Sequence, residues 1–193
     1  MLTDTLRSGT RTHHDRIEQK LGLPHRVTSQ EEYVELLTGF YGFYRSVEPK
    51  LQEWLSGLPD FCMAERQKWN LLRLDLTVLG FNEGTIAAIP LCSTPPAVDT
   101  VPQALGCLYV LEGSTLGGQV ISAHFRRALG ITPENGGRYF HGYGSQTAEC
   151  WRSFKEALLI YSQRYPENDL GILESARATF ESLEAWLCRD SRA

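Results

Sequence analysis

No apolar run in the chain approaches the roughly 20 residues that a membrane-spanning helix needs, so no membrane segment is expected. Met1 to Asp4 lacks the basic start and apolar stretch of a secretory signal, which points to the cytoplasm. The charge balance lacks a positive excess: 19 Lys and Arg stand against 23 Asp and Glu, a net charge of −4, which argues against a nucleic-acid partner. The five cysteines, Cys62, Cys92, Cys107, Cys150 and Cys188, are odd in number and contain no Cys-x-x-Cys pair. Reduced thiols fit that pattern better than a disulfide framework. Period-two strand patterns, internal repeats and low-complexity tracts are all missing, which leaves an all-α reading.

What is present is ordinary for a globular chain. The 193 residues are 42% hydrophobic and 22% charged, enough for one domain over 1–193 with a real core. Six main helices are expected. The first runs from Thr3, as its cap, to Leu21, with Leu6, Thr10 and Ile17 inward and Gly22 as its stop. Ser29 and Glu32 form a capping box that opens a second helix to about Leu55, interrupted by Pro49; Ser56 to Pro59 then turn. A third runs from Cys62 to Leu79, and Asn82 caps a short one to Ala88. Later helices span Val101 to Leu129, Ser145 or Thr147 to Tyr165, and Asn168 to Cys188.

The helix over Val101 to Leu129 holds the least ordinary stretch. Gly113, Gly117 and Gly118 fall within six residues. Each costs an interior helix about 1 kcal/mol relative to alanine, roughly 3 kcal/mol in all. Such a cost is usually offset by close approach of the backbone to something flat or bulky. The stretch is not a P-loop, because Gln119 stands where Lys-Ser/Thr would follow. Close packing of another helix along Gly106, Gly113 and Gly117 is the alternative reading of the same spacing.

Of the five histidines, His13, His14, His25, His124 and His141, His14 differs in having a carboxylate, Glu18, one turn along the same side. A metal-bound imidazole usually gives its other ring nitrogen to such a group, although a plain surface pair has the same spacing. Arg7 lies two turns earlier, roughly 10 Å along the axis. That separation suits a ligand with a metal centre and an anionic edge, such as haem. Di-iron and zinc-protease sites are unsupported: Glu-x-x-His and His-Glu-x-x-His are absent. So is Cys-x-x-Cys-His, which excludes covalent c-type haem.

Two segments carry a resemblance. Leu6 to Glu18 resembles the proximal helix of the haem oxygenase family, with Thr10, His14 and Glu18 at the family's spacing. Leu108 to Val120 resembles its distal helix. The resemblance implies an all-α, single-domain haem-oxygenase-like bundle with haem between the proximal helix and a glycine-kinked distal helix. It places the axial iron ligand on His14, the orienting carboxylate on Glu18 at Nδ1, and propionate contacts on Arg7 and Tyr109, with Arg152 as a further basic candidate. Gly113 and Gly117 would bring backbone against the haem face, and Gly118 would complete the kink. Ser114 stands where many members carry an aspartate that anchors a water network. The Glu112 to Gly118 stretch resembles the bacterial branch linked to phytochromes.

The activity so implied is O2-dependent cleavage of haem b, cofactor and substrate at once, to biliverdin, CO and ferrous iron. No flavin, nicotinamide or iron–sulfur fingerprint is present. Electrons would therefore come from an external ferredoxin or flavin reductase, and a bacteriophytochrome is a candidate acceptor of biliverdin. A non-catalytic haem carrier of the same fold is the alternative.

Overall fold

A computed structural model describes residues 1–58 and 61–189. Its α-helices, among these residues, are α1 (Leu2–Leu21), α2 (Gln30–Leu55), α3 (Trp69–Val78), α4 (Glu83–Ala87), α5 (Val101–Leu129), α6 (Arg138–His141), α7 (Thr147–Arg164) and α8 (Asp169–Leu187). Six are long, in agreement with the sequence reading, and two are short, of which the sequence reading gave one. The expected turn after α2 is present at Leu58, whose amide donates to Leu55 O at 3.2 Å; Pro59 lies outside the described residues.

Local chemistry accounts for most of the boundaries. The Ser29 hydroxyl accepts from Glu32 N at 3.2 Å while Glu32 accepts from Ser29 N at 3.2 Å, the reciprocal capping box. Gly22 closes α1 at φ 59° and Gly130 closes α5 at φ 69°, the left-handed conformation that glycine adopts without penalty. Asn82 caps α4 by accepting from Thr85 N at 2.9 Å.

Four starts differ from expectation, each for a visible reason. Thr3 is not the cap of α1: Met1 O already accepts from Asp4 N and Thr5 N, which puts Thr3 inside the first turn. The third helix begins at Trp69 rather than Cys62. The Glu48 carboxylate, reaching across from α2, accepts from Lys68 N at 2.8 Å and Trp69 N at 2.9 Å and sets the start. Before it lies a single 3-10 turn at Ala64–Arg66. Neither Ser145 nor Thr147 caps α7, because the Thr147 hydroxyl donates to Gly144 O at 2.8 Å. Asn168 precedes α8 without capping it; its amide donates to the Tyr161 hydroxyl at 3.0 Å. The short α6 was not expected, and it too is started from afar, by Asp75 accepting from Arg138 N and Tyr139 N at 2.9 and 2.8 Å.

The architecture centres on α8, against which both α1 and α5 pack, with α2 alongside. Gly106 allows the tightest approach: a Cβ there would run into the carbonyl of Ile172 and the Ser175 side chain. The hydroxyl of Ser175 donates to Gln103 O at 2.7 Å, and Arg177 Nε donates to Gly9 O at 2.8 Å. Helix α8 thus holds both α5 and α1.

On its opposite side α5 is anchored by a buried ionic cluster. Glu112 accepts from Arg66 Nη1 at 2.6 Å, Lys68 Nζ at 2.9 Å and the Tyr143 hydroxyl at 2.7 Å. Such clusters add little net stability but fix a register strongly. Here the fixed residue is the one before Gly113.

Beside this cluster, burial pushes the Glu48 carboxyl from 4.5 up to about 7. The folded chain therefore keeps a proton that the unfolded chain releases near pH 4.5. Stability falls as pH rises through that window, by on the order of 3 kcal/mol for this group. In denaturation series from pH 4.5 to 7, Glu48→Gln flattens the slope; an unchanged slope assigns it to another group.

Candidate functional site

Two contacts fix the relation of α1 to α5. Near one end, the Tyr109 hydroxyl interacts with Thr10 and lies in the field of Arg7; burial raises its pKa, against the pull of both. At the other end, just past α1, the His25 and His124 rings meet edge to face with centroids 4.8 Å apart. The same number of residues separates Thr10 from His25 as separates Tyr109 from His124. The two contacts come in the same order along both segments, so the two helices run side by side in one direction, with His14 and Glu18 of α1 and Gly113 and Gly117 of α5 all lying between the contacts.

Between these contacts the glycines divide into two kinds. A Cβ on Gly117 would meet nothing within 4 Å, and one on Gly113 would only touch Trp151 at 3.8 Å. Gly118, one residue round the helix, instead faces the carbonyl of Phe140, 2.8 Å from where its Cβ would stand. Gly118 thus serves the packing of α6, not the opening beside α1, and Gly106 serves α8. Only Gly113 and Gly117 lack a packing explanation. Leu116 and Val120 are exposed.

The adjacent histidines of α1 are separated as expected. His13 turns to α8, with Nε2 3.3 Å from Glu181 and 19% of its side chain exposed. The side chain of His14 is 51% exposed, with Nε2 3.5 Å from Glu18 and Nδ1 3.7 Å from Asp15. Its ring stands edge-on to Phe180 of α8 at 6.0 Å. The nitrogen facing Glu18 is thus Nε2, not the expected Nδ1, because a carboxylate one turn along reaches the far side of the ring. Either nitrogen has a carboxylate nearby, so one can carry a proton while the other binds a metal. His14, Asp15 and Glu18 also form the one group of three potential metal ligands among the described residues.

The remaining predicted residues fall unevenly. Arg7 is exposed at the Tyr109 end, and Arg152 is exposed on α7 with no described contact to the others. The residue that α7 brings to Tyr109 is Trp151, with ring centroids 5.6 Å apart, and Lys155 lies 5.7 Å from the Trp151 ring centroid. Ser114 is exposed, and its hydroxyl donates to Leu111 O at 2.8 Å and lies 3.4 Å from the Tyr44 hydroxyl. The Tyr139 hydroxyl donates in turn to Tyr44 at 3.2 Å. Burial raises both phenols well above their ordinary values, so they stay neutral donors. Trp151, Tyr44 and Tyr139 were not singled out as site residues; their apolar spacing marks them only as core.

The geometry suits a flat ligand with a metal at its centre and carboxylates on one edge. An exposed imidazole on α1 and bare backbone on α5 lie between the two contacts, and a cation and a phenol lie at one end. The space beside Gly117 is open, with nothing within 4 Å of where a Cβ would stand.

Comparison with known proteins gives the same direction. The family model described as "Heme oxygenase" matches residues 1–189. A curated relative, a heme oxygenase of Xanthomonas campestris pv. campestris, is 35% identical over 175 residues, which cover 90% of this chain and 98% of the relative. Among solved structures, the heme oxygenase of Neisseria meningitidis has a TM-score of 0.78 at 21% identity, covering 100% of this chain and 95% of that one. That of Leptospira interrogans has a TM-score of 0.77 at 20% identity, covering 98% and 99%. These two likenesses establish the all-helical, single-domain fold. The family match and the curated relative establish more: the chain belongs to the haem oxygenase family, enzymes that degrade haem.

Proposed function

We propose that the gap between α1 and α5 binds haem b with His14 on the iron, Gly113 and Gly117 against the opposite face, and Arg7 and Tyr109 at the propionate edge. The observation that carries this reading is that, between the Thr10–Tyr109 and His25–His124 contacts, α1 carries an exposed imidazole and α5 carries two glycines whose missing side chains no packing neighbour explains. Bound there, haem supplies the iron that activates O2 and is itself the molecule opened, to biliverdin, CO and ferrous iron.

The chain's own residues orient and supply protons. His14 binds through one ring nitrogen while a neighbouring carboxylate, Glu18 or Asp15, holds the proton at the other. The bare backbone at Gly113 and Gly117 leaves room for a small ligand opposite His14. Ser114 Oγ is the atom at which a proton can enter that space, with Tyr44 and Tyr139 behind it as neutral donors. No carboxylate stands at this position, so the hydroxyl row takes the place of a distal aspartate.

A hydrogen bond lost from such a row costs about 1 kcal/mol, or several-fold to tenfold in rate. Ser114→Ala is expected to slow turnover by about that factor with haem affinity unchanged, measured by single-turnover absorbance. A change in haem affinity with no change in rate contradicts this role.

Electrons come from an external ferredoxin or flavin reductase. No helix among the described residues is long and apolar enough to cross a membrane, in keeping with cytoplasmic work. The resemblance of the Glu112 to Gly118 sequence is what favours the phytochrome-associated bacterial branch, with a bacteriophytochrome as acceptor of biliverdin. The test is to add haem and a reductant in air. Loss of the Soret band with growth of a biliverdin band is expected; a stable ferrous–oxy spectrum contradicts turnover.

A further inference from the structure

At the His25–His124 end of α1 and α5 lies a groove of about 440 Å³ that none of the residues assigned to the haem site lines. Its walls are Pro24 and His25, just past α1, and Val120, Ala123, His124 and Arg127 of α5. Gln119 also borders it, but its amide is engaged with Gly144 O at 2.5 Å. The volume suits a small ligand or one arm of a larger one.

Three observations describe what fits. First, the groove is cationic and unbalanced. Arg127 is exposed and has no ion pair among the described residues, two imidazoles stand beside it, and no carboxylate lines the space. Second, Nδ1 of His124 is buried with no hydrogen-bond partner; a buried polar atom left unpaired is costly. Third, the rest of the lining is apolar, and Val120 is 70% exposed. A carboxylate on an apolar, conjugated body meets all three.

The groove lies on the same side of α5 as the two unexplained glycines: His124 shares a stripe with Gly113 and Gly117, about 10 Å beyond Gly117 along the axis. Arg7 and Tyr109 stand at the opposite end. Haem tied to His14 with its carboxylates at that end cannot place one beside Arg127. The opened product, no longer tied to His14 through iron, is free to shift along α5 and bring its carboxylates there.

We infer that His25, His124 and Arg127 form a carboxylate-receiving groove that binds the opened tetrapyrrole product as it leaves the gap. The inference rests on the reading of the gap as the haem site. It makes the groove a product subsite, with no part in holding the substrate.

The experiment compares the full chain with Arg127→Gln, His25→Gln and Val120→Glu, all changes at the exposed groove. Each protein is titrated separately with biliverdin, biliverdin dimethyl ester and haem. Biliverdin binding is expected to weaken at least tenfold in Arg127→Gln and Val120→Glu, and severalfold in His25→Gln. The dimethyl ester should bind the parent as weakly as biliverdin binds Arg127→Gln, and haem affinity should stay within twofold throughout. Unchanged biliverdin binding, equal binding of acid and ester, or a parallel loss of haem affinity overturns the inference. Failure of the parent to bind haem at all overturns instead the reading of the gap, and the biliverdin titration still reports on the groove by itself.

Discussion

Gly117→Leu is expected to abolish haem binding while leaving the ligand-free protein at least as stable as the parent. The two effects have one cause. Nothing lies within 4 Å of a Cβ at Gly117, so leucine meets no clash, and its better helix propensity is worth somewhat under 1 kcal/mol. The same side chain stands in the space that a flat ligand would occupy beside α1. Gly106→Ala is the control on the same helix. Alanine gains propensity there too, but its methyl group runs into the carbonyl of Ile172 and the Ser175 side chain. Overpacking of this kind costs about 1–3 kcal/mol or more, so Gly106→Ala is expected to destabilise. Denaturation midpoints and haem titrations of both variants check the contrast. A destabilised Gly117→Leu that still binds haem means that the gap is a packing surface.

His14→Ala is expected to lower the rate of haem degradation by more than about a hundredfold. Loss of groups that merely orient a metal ligand already costs 10- to 100-fold, and removing the ligand itself costs at least as much. Added imidazole should restore part of the rate and the histidine-type spectrum, because the gap stays open around the missing ring. His13→Ala should change neither. Its ring faces Glu181 of α8, and such a partly exposed pair is worth at most about 1 kcal/mol. The reverse pattern, with His13 essential and His14 dispensable, moves the iron to the α8 side of α1.

These two residues also show how far the sequence could be read. The separation of His13 from His14 followed from spacing, because Glu18 is one turn from His14 while Ile17 is one turn from His13. The cost of glycine in α5 was legible as well. Its division was not: Gly106, Gly117 and Gly118 look alike in sequence. Only the positions of Ile172 and Phe140 reveal that two of them accommodate neighbouring backbone. Secondary structure failed in the same way. The starts of α3 and α6 are set by Glu48 and Asp75, carboxylates distant in sequence, and a local pattern of caps contains no trace of them. The Tyr44–Tyr139–Ser114 row was hidden for a related reason: buried tyrosines at helical spacing read as core until their hydroxyls are found facing one another.

The pairing of His14 on α1 with the bare backbone of Gly113 and Gly117 on α5 is the point on which the account turns. A crystal structure of the haem-loaded protein tests it most directly. The account predicts iron bound by His14, the Gly113 and Gly117 backbone against the opposite face, and the propionates directed towards Arg7 and Tyr109. Iron bound by His13, His25 or His124, or haem outside the α1–α5 gap, would contradict it.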